Sequence, residues 1–365
     1  MIGQDDREVR AVELPPGPRL HEALQAALDG SGPAVCPLSP GLPGPARDAL
    51  LTALAPDRPT GAAVLIATSG STGTPKIVEL SAAALLASAR ATLDRVGAGP
   101  PWLCCLPTSH IAGIQVLVRS IVSGLEPVFE FDLDKVATAG AVHVSLVPTQ
   151  LRRLLDAGAD PAQYASILLG GAAAAPTLVE EARARGARLF TTYGMSETSG
   201  GCVYDGLPLD GVRAEIGADG RIRLAGPVLF DGYRLRPDLT AQVRDGDWFV
   251  TQDLGMLDDG RLHIRGRADD VINTGGEKVV AGEVQDVVAR HPAVRDVVVV
   301  GRPDPEWGET VTAFVVSDED LGLEELRDWV REHLPAYAAP RVMVKVPEIP
   351  LLPSGKPDRA KLRGQ

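Results

Sequence analysis

Residues 64–76 read VLIATSGSTGTPK, an apolar strand that runs into a loop of hydroxyls and glycines ending in a lysine. Glycines let backbone N–H groups approach an anion, hydroxyls donate hydrogen bonds, and the lysine supplies positive charge. The loop has neither the spacing of a Walker A motif nor that of a GxGxxG loop. Taken alone it could be an ordinary Ser/Gly surface loop, but its place after a buried strand favours a phosphate-binding loop.

Strands and helices alternate from this loop to about residue 191, which predicts an α/β fold with a mostly parallel sheet covered on both faces. Apolar runs predict strands at 64–67, 103–106, 142–147, 167–169 and 188–191. Helical patterns fall at 19–29, 81–96, 148–156 and 176–185, with Ser81 a candidate N-cap.

The pattern changes after residue 200, where short alternating segments are separated by Asp-Gly pairs at 219–220, 245–246 and 259–260. Such pairs are typical of hairpins, so we predict an antiparallel β subdomain with strands at 213–216, 221–224, 248–251 and 261–265. Strands at 271–273, 297–300 and 311–316 and helices at 282–290 and 323–333 then predict a small α+β unit. We therefore place a large N-terminal domain at 1–266 and a small, mobile C-terminal domain at 267–365.

The composition excludes several classes of protein. The 365 residues carry 36 Lys and Arg against 48 Asp and Glu, a net charge of −12, whereas a nucleic-acid protein needs a basic face. No run approaches the ~18–20 apolar residues of a membrane span, and the N-terminus lacks the apolar core of a signal peptide. The four cysteines show no metal-binding spacing. We therefore predict a cytoplasmic protein with buried, reduced thiols.

Three further polar segments are candidate ligand loops. Residues 191–198, TTYGMSET, follow a predicted strand at the edge of the sheet where α/β ligands bind, and Glu197 could hold Mg²⁺ there. Residues 248–253 end in an Asp that could accept from ribose hydroxyls, and Arg267 follows them. Residues 353–358, PSGKPD, carry one lysine near the C-terminus. Each segment alone is more often a solvated turn.

In this order, the four segments resemble those of the adenylate-forming superfamily of acyl-CoA synthetases, peptide-synthetase adenylation domains and luciferases. The resemblance covers residues 62–365. It implies a reaction in which a small-molecule carboxylate attacks the α-phosphate of ATP, with Mg²⁺ present, to give an acyl-adenylate and pyrophosphate. The thiol of coenzyme A then attacks the acyl carbon and expels AMP.

The resemblance also implies roles for individual residues. The β- and γ-phosphates would be held by Thr68, Ser69, Gly70, Ser71, Thr72, Gly73 and Lys76. Adenine would lie between two segments, Gly170-Gly171-Ala172 and Thr192-Tyr193-Gly194. Thr198 would contact the α-phosphate, Glu197 would hold Mg²⁺, Asp253 would bind the ribose, and Arg267 would support the ribose and the hinge. Asp269 would be the hinge, Gly275 and Gly276 would line the pantetheine tunnel, and Lys356 would bridge the substrate carboxylate and the α-phosphate as the catalytic lysine.

Two substitutions depart from the superfamily pattern without removing a charged contact. Gln252 stands where a glycine usually precedes the ribose Asp, and Ile77 follows Lys76 where Gly or Ala is common. About 65 residues precede the phosphate loop, where most relatives have well over a hundred, so part of the usual N-terminal subdomain is expected to be missing.

Three runs narrow the resemblance to the o-succinylbenzoate–CoA ligases of menaquinone synthesis. They are PTSHIAGIQ at 107–115, VSLVPTQL at 144–151 and ILLGGAA at 167–173. That substrate has a second carboxylate on its ring, so its pocket needs an apolar wall and a cationic or hydroxyl anchor.

Candidates for the acid pocket are His110, Thr149, Ser196 and Ser199. His110 could equally be a core histidine, and Arg119 could anchor the ring carboxylate or face solvent. Alternative functions are another acyl- or aryl-CoA synthetase, a nucleotide-binding module without catalysis, and a stand-alone adenylation enzyme serving a carrier protein. A homodimer is left open.

Overall fold

The structure is a computed structural model that describes residues 7–68, 75–137, 140–352 and 356–364. Five residues predicted to bind phosphate, Ser69, Gly70, Ser71, Thr72 and Gly73, lie outside the described residues.

The predicted helices are confirmed, with ends within two residues of the sequence pattern, and the described residues contain further helices that the pattern did not predict. The helices are α1 Pro18–Asp29, α2 Gly44–Leu54, α3 Ala82–Val96, α4 Ile111–Ser123, α5 Leu133–Val136, α6 Pro148–Asp156, α7 Pro176–Ala184, α8 Pro237–Val243, α9 Ala281–Val288, α10 Leu323–Arg331 and α11 Arg359–Gly364. Ser81 caps α3, because its hydroxyl accepts from the Ala84 N–H at 3.2 Å. Five of these helices carry proline at the first or second position, where its missing N–H has no helical partner to lose.

The strands are numbered in chain order. They are β1 Val9–Val12, β2 Ala34–Pro37, β3 Val64–Thr68, β4 Lys76–Leu80, β5 Trp102–Cys104, β6 Val128–Phe129, β7 His143–Leu146, β8 Ser166–Leu169, β9 Leu189–Met195, β10 Gly200–Tyr204, β11 Leu207–Pro208, β12 Arg213–Ile216, β13 Arg221–Ala225, β14 Gly232–Tyr233, β15 Arg244–Asp245, β16 Trp248–Asp258, β17 Arg261–Arg267, β18 Val271–Thr274, β19 Glu277–Val280, β20 Asp296–Asp304, β21 Gly308–Val316 and β22 Val342–Lys345.

Within the described residues, two sheets form the first compact unit. One has the order β1-β2-β3-β4-β14. Strands β1, β2 and β3 run parallel, and β4 runs antiparallel to both of its neighbours, β3 and β14. The other has the order β11-β10-β9-β8-β7-β5-β6, and its strands from β6 to β9 run parallel. The α/β fold with a mostly parallel sheet is therefore confirmed.

The chain divides by contacts into two units. The first consists of Met1–Gly171, Ala182–Ala214 and Leu224–Val250, and the second of Ala172–Glu181, Glu215–Arg223 and Thr251–Gln365. Strands β12, β13, β16, β15 and β17 form the antiparallel hairpin sheet predicted after residue 200. The second unit contains the sheet β19-β18-β21-β20 with β22 paired to β21, and α9 and α10 pack against it, as the α+β pattern indicated. The proposed boundary at 266/267 stays a prediction.

The four cysteines, Cys36, Cys104, Cys105 and Cys202, are free and buried. Burial raises the pKa of each thiol to about 12, so each stays protonated and unreactive. Within the described ranges, no helix combines the length and apolarity needed to cross a bilayer.

Candidate active site

The two predicted adenine segments meet at the carboxyl ends of β8 and β9. Leu169 pairs with Thr191, and the Thr192 hydroxyl donates to the Leu169 carbonyl at 3.2 Å. A Cβ on Gly170 would lie 2.2 Å from Thr192 Oγ1, so only glycine allows this approach. Gly171 adopts φ +82°, the left-handed region that favours glycine. Ala172, the third residue of the motif, belongs to the second unit.

The second of those segments lies in a strand instead of the predicted loop. β9 continues to Met195, because Thr192, Tyr193 and Gly194 pair with Tyr204, Val203 and Gly201 of antiparallel β10. A Cβ on Gly194 would lie 2.1 Å from the Gly200 carbonyl, which explains glycine at this position.

A single turn of 3₁₀ helix, Ser196–Thr198, follows β9 and holds the predicted phosphate and metal ligands. Thr198 is fully buried, and its hydroxyl accepts from the Met195 N–H at 2.9 Å and donates to the Gly200 carbonyl at 2.7 Å. Ser199 is also fully buried, and its hydroxyl donates to the Val228 carbonyl at 2.8 Å. Both hydroxyls are used in hydrogen bonds that hold this turn. The predicted contacts of Thr198 with the α-phosphate and of Ser199 with the acid substrate therefore stay predictions.

Glu197 is half-buried on this turn, which argues against a freely solvated loop carboxylate. Its Oε1 accepts from the Tyr233 hydroxyl at 2.8 Å. The Lys76 ammonium lies 5.5 Å from the centre of the same tyrosine ring. Lys76 begins β4 opposite Thr68 at the end of β3, and the Thr68 hydroxyl donates to its carbonyl at 3.2 Å. The fold therefore brings the predicted phosphate lysine and the predicted metal carboxylate to one aromatic ring.

The chemistry around Glu197 is suited to a ligand of Mg²⁺. Mg²⁺ in nucleotide sites takes one or two carboxylates, substrate phosphate oxygens and water, not a complete cage of protein side chains. In the part of the chain that the structure describes, no group of three or more His, Cys, Asp or Glu side chains is arranged to hold a metal. A carboxylate such as Glu197, held by the same tyrosine that Lys76 contacts, has the chemistry of a Mg²⁺ ligand on a nucleotide, and its role as that ligand stays a prediction.

The predicted ribose and hinge residues form one chain of ion pairs in the second unit. Asp253 pairs with Arg267 across β16 and β17, and Arg267 Nη1 lies 3.4 Å from Asp253 Oδ1. Arg267 also makes a bidentate pair with Asp269, with both N–O distances 2.8 Å. The hydrogen bonds from Arg267 lower the pKa of Asp269, and the same bonds raise the pKa of Arg267.

The remaining predicted residues of the second unit lie on turns. Gly275 and Gly276 form the β18–β19 hairpin with φ values of +60° and +87°, and the Gly275 N–H donates to the Trp307 carbonyl at 2.9 Å. Lys356 is exposed, on a loop closed by the Leu352 N–H, which donates to the Lys356 carbonyl at 2.8 Å.

For two of the acid-pocket candidates, the structure rules out one of the interpretations that the sequence left open. His110 is exposed at the residue before α4, so the interpretation as a core histidine is wrong. Arg119 is only 5% exposed, so its solvent-facing interpretation is also wrong. Its guanidinium lies 4.4 Å from the centre of the Trp102 ring, and Nη1 donates to the Ser145 hydroxyl at 3.3 Å. Thr149 and Ser196 are half-buried.

Sequence reasoning missed Tyr233, although it contacts two predicted site residues. Its sequence, FDGYRLRP at 230–237, contains no recognised loop motif. The available signal is chemical, because a buried tyrosine hydroxyl needs a hydrogen-bond partner.

Residues 5–246 match the family described as AMP-binding enzyme, and residues 283–356 match the AMP-binding enzyme C-terminal domain. The chain belongs to the AMP-binding enzyme family. This AMP-binding enzyme is 41% identical to a Mycobacterium tuberculosis protein named probable 2-succinylbenzoate–CoA ligase, over 97% of each chain.

Two solved structures of the same named class are similar to this AMP-binding enzyme. E. coli MenE, with a bound analogue of OSB-AMS, shows a TM-score of 0.80 and 29% identity over 99% of this chain and 88% of that one. The o-succinylbenzoate CoA synthetase from Bacillus subtilis, in complex with the acyl-adenylate intermediate OSB-AMP, shows a TM-score of 0.74 and 28% identity over 94% of this chain and 80% of that one.

Proposed function

We propose that this AMP-binding enzyme is an o-succinylbenzoate–CoA ligase that uses ATP, Mg²⁺ and coenzyme A. The observation that carries the proposal is the 41% identity, over 97% of both chains, to a protein named for that activity. The AMP-binding match and the superfamily's segments, present in order, support the adenylating half of the reaction.

In the first half-reaction, the succinyl carboxylate attacks the α-phosphorus of ATP, forming the acyl–phosphate bond and releasing pyrophosphate. Both reactants are anions, so cationic groups are required where they meet. Lys356 would place its ammonium between the carboxylate and the α-phosphate, and Lys76 would hold the outer phosphates. Glu197 would hold Mg²⁺, which neutralises charge on the leaving pyrophosphate when bound.

In the second half-reaction, the thiol of coenzyme A attacks the acyl carbon and AMP leaves with its phosphate oxygen. Asp253 and Arg267 would keep the ribose in place, and Gly275 and Gly276 would line the path of the pantetheine arm. An acyl-adenylate hydrolyses readily, so rotation of the C-terminal domain about Asp269 suits the chemistry better than release and rebinding.

Arg119 is our candidate for recognising the ring carboxylate. It is buried, and its guanidinium contacts the Trp102 ring and the Ser145 hydroxyl, with no carboxylate of the described residues paired to it. A buried cation without a carboxylate partner is costly unless a ligand supplies one. His110 and Thr149 are proposed as further contacts of the acid.

The proposed compartment is the cytoplasm. Free, buried thiols are typical of proteins in a reducing compartment. Fractionation of the producing cells with an antibody to the chain tests this assignment.

The deciding experiment measures AMP release, dependent on ATP and coenzyme A, over a panel of carboxylic acids. O-succinylbenzoate should give the highest kcat/KM, ahead of benzoate and medium-chain fatty acids. A preference for a fatty acid would place the enzyme among other acyl-CoA synthetases. AMP release that needs a carrier protein in place of coenzyme A would favour a stand-alone adenylation enzyme.

Lys356→Ala tests the assigned catalytic lysine within the same assay. Loss of a charge contact made in the transition state should lower pyrophosphate exchange by ~10²-fold or more. Conversion of supplied acyl-adenylate and coenzyme A to thioester should persist. Equal damage to both half-reactions would contradict the assignment.

A further inference from the structure

The segment 228–233 is bonded to both elements that carry the predicted phosphate and metal ligands. The Phe230 N–H donates to the Glu197 carbonyl at 2.9 Å, and the Val228 carbonyl accepts from the Ser199 hydroxyl at 2.8 Å. Its last residue, Tyr233, pairs with Val78 in the antiparallel ladder between β14 and β4, the strand that Lys76 begins. The backbone therefore holds Tyr233 between the Glu197 turn and the end of the phosphate loop.

The side chain of Tyr233 contacts both predicted ligands. Its hydroxyl donates to Glu197 Oε1 at 2.8 Å, and its ring lies 5.5 Å from the Lys76 ammonium, within the range of a cation–π contact.

The ring has little freedom to leave this position. Tyr233 is 7% exposed, and the edge of its ring meets Phe230 with centroids 5.1 Å apart. The next residue, Arg234, is anchored by the Leu54 carbonyl at 2.5 Å and the Glu79 carboxylate at 2.9 Å.

We propose that Tyr233 is a positioning residue that sets the Glu197 carboxylate and the Lys76 ammonium for the metal–nucleotide complex. The inference rests on the proposed function, which gives those two residues their ligands. The hydroxyl restrains rotation of the carboxylate while leaving its negative charge for the cation. The ring supports the ammonium, so one side chain sets both groups that face the phosphates.

Two substitutions separate the hydroxyl from the ring. Tyr233→Phe removes only the hydroxyl, and loss of such an outer partner typically weakens metal affinity ~10–100-fold. We expect the half-saturating Mg²⁺ concentration for adenylation to rise about tenfold. Mn²⁺ binding, measured by electron paramagnetic resonance with a non-hydrolysable ATP analogue, should weaken by the same factor. Affinity for the analogue without divalent metal should stay within about twofold, because the ring remains. Tyr233→Leu removes the ring as well and should also weaken that metal-free affinity, by about threefold.

Tyr164→Phe is the matched control. Tyr164 is buried in the same unit, and its hydroxyl donates to the Val136 carbonyl at 2.7 Å. The control variant therefore also loses a buried tyrosine hydroxyl, but one whose partner is not a predicted site residue. This variant should leave Mn²⁺ binding unchanged. If Tyr233→Phe lowers the melting temperature more than the control does, Mn²⁺ binding is measured well below the transition, where the protein is folded.

Glu197→Gln separates failure of the inference from failure of the proposed function. It should weaken Mn²⁺ binding at least as much as Tyr233→Phe, and the double variant should be no weaker than Glu197→Gln alone. If Glu197→Gln has no effect, Glu197 is not the metal ligand and the inference falls with that role. If Glu197→Gln weakens Mn²⁺ binding while Tyr233→Phe stays within about twofold of wild type, the inference alone is overturned and the ligase assignment stands.

Discussion

Arg234 shows how one buried residue can support a site that it does not enter. Its side chain is 1% exposed, and its guanidinium donates to the carbonyls of Leu54, Ala55 and Arg58 and to the Glu79 carboxylate. Removing one partner of a buried ion pair costs about 3–5 kcal/mol. Arg234→Met should therefore lower the free energy of unfolding by about that amount, measured by urea denaturation.

The control for that prediction is an exposed arginine of the same unit. Arg236 pairs with Asp238 at 2.8 Å, but about half of each side chain is exposed. Exposed ion pairs are screened by solvent and contribute little, so Arg236→Met should leave the free energy of unfolding almost unchanged. Equal losses in the two variants would contradict a special role for the buried arginine.

Asp286 on α9 should make stability depend on pH. Burial raises its pKa to about 6, which the nearby Arg290 opposes and Glu283 reinforces. An unfolded aspartate has a pKa of about 3.9, so between pH ~4 and ~6 the folded chain holds a proton that the unfolded chain has released. Stability then falls as pH rises through that window. Asp286→Asn should flatten this slope and raise the free energy of unfolding at pH 7 by about 1–2 kcal/mol. An unchanged slope in urea titrations from pH 4 to 7 would contradict it.

The motifs singled out residues that the fold places close together, and the roles of those residues stay predictions. Lys76 and Glu197 each stand in a segment of recognisable order, and the fold brings both to Tyr233. The orientation of Arg119 was not predictable, because α4 is buried over most of its surface and its pattern does not single out a solvent face. Tyr233 was missed because its role comes from tertiary contacts between distant segments.

Elements were predictable in type and less so in extent. The helix at 148–156 was predicted with the bounds that α6 shows, since a proline begins it and its apolar residues follow one face. Several of the shorter strands were not predicted, and β4 and β10 are examples. Each is a short strand directly after a polar motif, and each pairs antiparallel with the strand before that motif. Local sequence does not specify such pairings.

The last helix, α11, is held close to the predicted hinge. Asp270 Oδ1 lies 2.5 Å from Arg363 Nη2, and Asp270 Oδ2 lies 3.6 Å from Arg359 Nε. Leu362 between those arginines is fully buried in an apolar cluster with Ile349, so both flanks of the Lys356 loop are anchored. Asp270→Ala should release one of these anchors and lower pyrophosphate exchange about tenfold, because Lys356 then samples more positions.

A double variant tests whether that loss acts through the lysine. In the Lys356→Ala background, adding Asp270→Ala should lower pyrophosphate exchange by a further factor of less than about two, since the effects of mutations at interacting residues are not additive. Asp318→Ala is the control, because Asp318 pairs with Arg295 on the surface of the same unit at 3.2 Å. Additive losses from Asp270 and Lys356 would show that α11 contributes stability only.

At the scale of the whole molecule, the proposed reaction requires two half-reactions on one nucleotide site. Asp269 lies in the short 3₁₀ turn after β17, where Arg267 holds its carboxylate by two bonds of 2.8 Å. If the chain pivots here, the backbone dihedrals of Asp269 must change between the half-reactions. Proline fixes φ near −65° and removes the N–H, so Asp269→Pro should block the pivot. We expect pyrophosphate exchange to stay within about threefold of wild type while thioester formation falls by ~10²-fold or more.

Asp269→Ala separates backbone freedom from the ion pair, because it loses the two bonds from Arg267 but keeps an ordinary backbone. If the pivot is the function of this position, the alanine variant retains thioester formation within a fewfold of wild type and the proline variant does not. If alanine is as damaging as proline, the ion pair with Arg267 and not the pivot sustains the second half-reaction. If proline instead abolishes pyrophosphate exchange and spares thioester formation, the chain rests in the thioester-forming arrangement and the pivot serves adenylation. Rapid-quench measurement of both half-reactions on the same preparations distinguishes these results, since each variant then serves as its own reference for folding.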